Sequence, residues 1–353
     1  MSKIKYVGMD VHKSTIVVVV LDEKGKIICQ AIIPTTGEAV RSFIKGLGGI
    51  IHLTFEEGTQ AAWLYDVLSP LVAELVVCDP RYNKKRYASS KNDKVDARHL
   101  AELLRTSALK GVYHGEKSTR ALKELSRSYQ GLVSDSVRVM NRIKAIYRGR
   151  GINCSGTSVY GPLREQWMAK LTDPGRRKRA EFLYSELDHL RELRRQSKEL
   201  LIKESKKHKA LKSLLTVPGL GPVRAAQIIA IIAHPQRFGH KRQLWVYCGL
   251  SVLTHSSADH EIRNGIIYRK NKGKTTRGLS WTYNREMKAL LKATALDAIK
   301  REPFKGIFQK MIDRGLKTEV ARVAIARKLA SIILCLMKKG ESFDPKHLTD
   351  QVA

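Results

Sequence analysis

Three strand-like runs open the chain, and helix and strand then alternate to about residue 105. This restricts the segment to a mixed sheet flanked by helices. Ile4–Val11 reads as a strand, and the β-branched run Ile16–Leu21 reads as its neighbour across a polar HKS hairpin turn. Gly25 makes a second turn into Ile27–Ile33. A helix over about 38–47, a strand over His52–Glu56 and a helix over about 61–71 follow, and ELVVCDP gives a fifth short strand ending at Pro80. Asp93–Arg105 then forms an amphipathic helix with Val95, Leu100, Leu103 and Leu104 on one side. The order β-β-β-α-β-α-β-α is an α/β layer architecture.

Beyond this region the signal is helical. Between about Lys117 and Lys212, Leu183, Leu187, Leu190 and Leu201 sit at heptad-like offsets interrupted by Arg194 and Ser197. That pattern suits a coiled coil or an amphipathic helix packed on its own domain. A Gly/Ser/Pro-containing loop interrupts the helices near Asn153–Gly161. Leu214–Ala353 is again mostly helical, with a loop-rich middle over Cys248–Gly278. Three domains are therefore expected, at 1–112, 113–212 and 213–353.

Charge narrows the function. Lys and Arg number 65 against 33 Asp and Glu, a net charge of +32 over 353 residues. A globular chain this basic needs a polyanion to offset its self-repulsion, and nucleic acid is the usual one. Candidate contacts are Arg81, Lys84, Lys85 and Arg86, with Tyr82 and Tyr87 interleaved for base stacking. A second basic stretch, Arg263, Arg269, Lys270, Lys272, Lys274 and Arg277, contains no acid. VPGLGP resembles the hairpin of a helix-hairpin-helix, in which Gly219 and Gly221 would let backbone approach phosphate; an ordinary helix connection is the rival reading. The five cysteines are scattered without metal-ligand spacing, and the N-terminus lacks a signal peptide's apolar stretch. The apolar runs are too short to span a bilayer. A reduced cytoplasm and no membrane partner are expected.

Four acids suggest chemistry. Mg²⁺ prefers hard oxygen ligands, and carboxylate-held Mg²⁺ serves phosphodiester reactions. Asp10 lies in the first strand within YVGMDV, Glu56 ends the fourth strand in HLTFEEG, and Asp93 and Asp96 begin a helix in KNDKVDARHLAEL. The last two are three residues apart and share a helix face. Strand alternation places only one of Glu56 and Glu57 on the catalytic side.

GMDVHK, FEEG and KNDKVDARHLAELL resemble the three DEDD motifs of insertion-sequence-110 transposases and pilin-gene invertases. LLTVPGLGPVRAAQIIAII, RFGHKRQLWVYCGLSVLTHSS and ARVAIARKLASIIL extend the resemblance over nearly the whole chain. The strand order is also similar to that of ribonuclease-H-like folds. The resemblance implies a ribonuclease-H/resolvase-like N-terminal domain, a helical coiled-coil region and a mostly α-helical C-terminal transposase domain with a catalytic serine. It implies that Asp10, Glu56, Asp93 and Asp96 bind metal, Glu56 being chosen because the family's EAG aligns with Glu56, Glu57 and Gly58. The family's SSG-type motif reads HSSAD here, so Ser257 is the expected nucleophile and Ser256 the runner-up, with Ala258 in place of glycine. A phosphoserine link would conserve phosphodiester energy through strand exchange. The implied partners are donor and target DNA, a structured noncoding bridge RNA, and further copies of the chain in a dimer or tetramer whose sites combine one protomer's acids with another's serine. Rival readings are a Holliday-junction-resolvase-like nuclease without serine chemistry and a nonenzymatic nucleic-acid-binding protein.

Overall fold

β-Branched residues dominate the strands of the N-terminal part of the protein. In this computed structural model, β1 (Ile4–Val11), β2 (Thr15–Leu21), β3 (Ile27–Pro34), β4 (Ile50–Glu56) and β5 (Glu74–Cys78) form one sheet in the order β3-β2-β1-β4-β5. The described residues are 3–82, 92–114, 119–255, 260–269, 275–279 and 281–348. β1, β2 and β3 pair antiparallel, whereas β4 is parallel to both β1 and β5. This mixed α/β sheet is consistent with a ribonuclease-H-like start.

Helices α1 (Gly37–Leu47) and α2 (Ala61–Leu68) cover one face and α3 (Asp93–Arg105) the other. Val7, Met9, Val18, Leu53 and Phe55 pack with Val40, Ile44, Leu64 and Leu68. On the opposite face Val17, Val19 and Leu21 meet Ala97 and Ala101 of α3. β2 is thus apolar on both sides, which explains its unbroken TIVVVVL run. α2 ends three residues before the expected 71. Pro70 disfavours the helical conformation at the residue before it, and Ser69 is the C-cap.

The chain divides into two compact units, Met1–His114 and Gly115–Ala353. The second is mostly helical: α4 (Arg120–Arg148), α5 (Arg164–Met168), α6 (Pro174–Ser205), α7 (Ala210–Leu215), α8 (Pro222–Ile232), α9 (Lys241–Tyr247), α10 (Arg285–Ala298), α11 (Phe304–Asp313) and α12 (Thr318–Lys339). α4 and α6 run antiparallel: the Tyr147 and Tyr184 hydroxyls are 3.1 Å apart, and Arg142 lies 3.5 Å from Glu186. Leu183 and Leu187 are buried with Val139, Ile143 and Tyr147 of α4. The heptad-like face is therefore filled from within the chain. At the other end of this helix pair, Leu122 and Leu201 join the core built by α8, α10 and α12. The helical segment expected to end at 212 thus shares a core with the C-terminal helices.

The segment read as loop-rich over 248–278 contains four short strands. β6 (Val252–His255) pairs with β9 (Thr275–Leu279), and β7 (His260–Arg263) pairs with β8 (Ile266–Arg269). Unlike the β-branched ELVVC of β5, the runs VLTH, HEIR, IIYR and TTRGL carry charged, polar and glycine residues that read as loop. Among the described residues no helix is long and apolar enough to cross a membrane.

Candidate functional site

The site begins with a glycine. Met9 points into the core beneath α1 and α2, so alternation turns Gly8 and Asp10 toward α3. A methyl group on Gly8 would fall 2.6 Å from the Ala101 amide nitrogen and 3.0 Å from its Cβ, and closer still to the Ala97 carbonyl oxygen. Only glycine permits α3 to lie this close to β1. Ala97 and Ala101, both fully buried, keep the helix side of the seam equally slim.

That approach delivers the start of α3 to the end of β1. Asn92 caps the helix by accepting from the Lys94 amide at 3.1 Å, and Asp93 and Asp96 occupy the first turn. Acids there are favoured by the unpaired amides and the helix dipole. His12 Nε2 lies 3.3 Å from an Asp10 oxygen and 3.4 Å from an Asp93 oxygen. Asp10, His12 and Asp93 each offer a ligand atom, and all three atoms lie within 4.8 Å of one another. Carboxylate oxygens with one imidazole fit a divalent cation by donor chemistry.

Glu56 reaches the same sheet face by register. The parallel ladder between β1 and β4 ends on the pair Met9 with Phe55, so Asp10 and Glu56 are the next residues on neighbouring strands. Phe55 is buried on the α1–α2 side, which turns Glu56 toward the α3 side. Glu57 goes elsewhere. Its Oε2 lies 2.6 Å from His114 Nε2, and the His114 ring stacks on Tyr65 at 4.9 Å and 17°. Glu56 and Asp96 are not in the tight Asp10–His12–Asp93 set. A cleft of about 490 Å³ opens beside Glu56 at the start of α2, lined also by Phe55, Ala61 and Leu64 of the α1–α2 side and by Lys13 and Gln60.

Both parts of this arrangement lie within a matched stretch. Residues 7–149 match a transposase model of the DEDD IS110 type, and residues 211–274 match the transposase IS116/IS110/IS902 family. The chain belongs to the IS110 family of transposases. It is 24% identical over 348 residues to the transposase for insertion sequence element IS1111A of Coxiella burnetii, covering 97% of this chain and 92% of that protein. It is 25% identical over 287 residues to the putative transposase y4pF/y4sB of Sinorhizobium fredii, covering 78% and 70%. A transposase for insertion sequence element IS1533 of Leptospira borgpetersenii is 29% identical over 162 residues, 44% of this chain and 46% of that one.

The residues expected to touch nucleic acid in this IS110-family transposase fall in different settings. Arg81 is engaged by Asp79, 2.6 Å from its Nη2, and this hydrogen bond pulls the Asp79 carboxyl below the usual carboxylate range. One face of Tyr82 is taken by Lys110, whose Nζ lies 3.8 Å from the ring centre. Lys84, Lys85, Arg86 and Tyr87 lie outside the described residues, as do Ser256, Ser257, Lys270, Lys272 and Lys274. Arg263 and Arg269 end β7 and β8, and Arg277 lies in β9; their side chains are outside the described part.

The VPGLGP segment does join two helices, α7 and α8. Gly219 has φ +82°, and a methyl there would sit 2.5 Å from the Ala298 nitrogen. Its freedom serves packing against the end of α10, where Arg224 binds Asp297 at 2.7 Å and the Gly219 carbonyl at 3.2 Å. Gly221 caps α8 with open space around it, ahead of Pro222 at the first turn.

His12 is the site residue that sequence reading missed. HKS between two apolar runs reads as a polar turn, and it is one: the His12 amide donates to the Thr15 carbonyl at 2.9 Å. The signal available was its position two residues after Asp10.

Proposed function

We propose that this transposase cuts, exchanges and rejoins DNA strands of a mobile element, with Asp10, Glu56, Asp93 and Asp96 holding Mg²⁺ and Ser257 as nucleophile. The observation that carries the metal-centre reading is the convergence of Asp10 and Asp93 from strand and helix across the Gly8 seam. When bound, the cation neutralises charge developing on the phosphate and polarises an oxygen nucleophile.

The protein's own groups have distinct tasks. The four carboxylates would supply hard oxygen ligands; the approach of Asp10 and Asp93 across the Gly8 seam supports a preorganised centre, which Glu56 and Asp96 would complete. Ser257 Oγ forms a bond to phosphorus as the bond to one deoxyribose oxygen breaks, and that oxygen leaves as a hydroxyl after taking up a proton. Attack by a hydroxyl of the exchanged strand then restores a phosphodiester and returns the proton-bearing serine. The net change in high-energy bonds is zero, so no nucleotide triphosphate is required.

The +32 charge supports binding to nucleic acid, and the family resemblance alone supports donor and target DNA, an RNA guide and a homo-oligomer as the partners. The rival is a resolvase-like nuclease that uses the acids alone. Recombination between donor and target plasmids, with the element's flanking noncoding DNA supplied, separates the two. Junction products should vanish in both Asp10→Ala and Ser257→Ala. Normal recombination by Ser257→Ala, with Ser256→Ala also active, would leave the nuclease reading.

A further inference from the structure

His12 stands between the two carboxylates that the fold brings together, and neither packing nor capping accounts for its direction. The side chain is 45% exposed, so it fills no core position. Its backbone is nevertheless fixed on both sides: the amide donates to Thr15, and the carbonyl accepts from the Thr35 hydroxyl at 3.0 Å. From this anchored turn the ring presents Nε2 to Asp10 on one element and Asp93 on another, at 3.3 and 3.4 Å. The nitrogen is thus as close to each carboxylate as ligands of one small cation are to each other.

We propose that His12 is a nitrogen ligand of the divalent cation held by Asp10 and Asp93, and that it tilts this centre toward Mn²⁺ relative to Mg²⁺. This rests on Asp10 and Asp93 being cation ligands. Mg²⁺ demands a near-ideal octahedron of hard oxygens and gains little from imidazole. First-row transition ions accept imidazole readily, and Mn²⁺ also keeps its affinity for carboxylate. Replacing one oxygen site by a histidine nitrogen therefore favours Mn²⁺ over Mg²⁺ at otherwise equal geometry. An all-carboxylate set would lack this bias.

The test uses the full chain. Mn²⁺ is added and pulsed electron paramagnetic resonance reads ¹⁴N coupling to the ion, while calorimetric titration gives Mn²⁺ and Mg²⁺ affinities separately. Wild type should show ¹⁴N coupling that disappears in His12→Ala, with Mn²⁺ binding weakened about tenfold and Mg²⁺ binding weakened less. His12→Asp, which restores an oxygen donor, should bind Mg²⁺ better than His12→Ala and show no ¹⁴N coupling. Thermal melting within about 4 °C of wild type, expected for an exposed turn residue, shows that the variants fold. Asp10-dependent Mn²⁺ binding without ¹⁴N coupling, or with coupling undiminished in His12→Ala, would overturn the assignment of His12 and leave the carboxylate centre standing. Absence of any Asp10-dependent binding of either cation would overturn both.

Discussion

Gly8→Ala is the smallest change that should separate the two halves of the acid cluster. The added methyl would sit 2.6 Å from the Ala101 amide nitrogen and 3.0 Å from its Cβ. Since ordinary carbon contacts begin near about 3.5 Å, α3 must recede by roughly 1 Å or the strand must bend. Overpacking of this kind costs about 1–3 kcal/mol, and at about 4–8 °C per kcal/mol for a domain of this size the melting point of the N-terminal unit should fall by roughly 5–20 °C. α3 also carries Asp93 and Asp96, so a displacement of about 1 Å should lower strand transfer on the order of a hundredfold, beyond any loss of folded protein. Circular dichroism melts, hydrogen exchange of the 93–105 peptides and plasmid recombination measure the three effects. The nearest obstacles are backbone atoms of Ala97 and Ala101, so adding Ala101→Gly should not rescue Gly8→Ala. A Gly8→Ala protein that melted and recombined like wild type would refute the close-seam argument, and rescue by Ala101→Gly would show that the side-chain contact alone mattered.

The α3 cap, the second glycine motif and one half-buried acid give further tests. Asn92→Ala removes the cap on α3 and should cost about 1 kcal/mol, visible as faster exchange at the Lys94 and Val95 amides and weaker cation binding. Gly219→Ala, at φ +82° and with Ala298 in the way, should destabilise the second unit by about 1–3 kcal/mol. Gly221→Ala has open space and should cost less than about 1 kcal/mol; equal melting shifts for the two would contradict the packing role of Gly219. Burial pushes the Glu286 carboxyl above its ordinary 4.5, with a Ser126 hydrogen bond opposing it. The folded state then binds the Glu286 proton more tightly than the unfolded chain, so stability falls as pH rises from 4.5 through the raised folded value. Glu286→Gln should flatten that part of the stability-against-pH curve, and an unchanged slope would place its origin elsewhere.

The N-terminal sheet was legible because its information is local. Alternation in YVGMDV already puts Asp10 opposite Met9, and the turns at HKS and Gly25 separate strands that pair as neighbours. Glu56 was preferred to Glu57 on the family's EAG motif alone; the parallel register with β1 and the pairing of Glu57 with His114 are long-range facts that no local pattern displays. His12 was illegible for the same reason: its neighbours in sequence make it a turn residue, and its second carboxylate arrives from α3, far along the chain. The Leu183–Leu201 face displayed its period openly, yet no heptad states whether its partner is another molecule or, as here, α4. Four strands between 252 and 279 went unread because their basic, polar and glycine residues look like loop, whereas the equally short β5 is marked by its apolar ELVVC.

The two glycine-bearing motifs show how closely chemistry and packing can be mixed in one short string. In GMDVHK, Gly8 contacts nothing chemical, but it sets the distance from β1 to α3 and hence from Asp10 to Asp93. In VPGLGP, the feature that reads as a phosphate-approach glycine is at Gly219 occupied by the end of α10, and only Gly221 faces open space. A phosphate could therefore meet this hairpin only on the Gly221–Pro222 side, where α8 presents its first turn. Salt titrations of DNA binding should accordingly respond to a bulky substitution at Gly221, such as Gly221→Glu. Gly219→Ala, once corrected for its unfolded fraction, should leave the salt slope unchanged; a lower slope for folded Gly219→Ala protein would return that glycine to the interface.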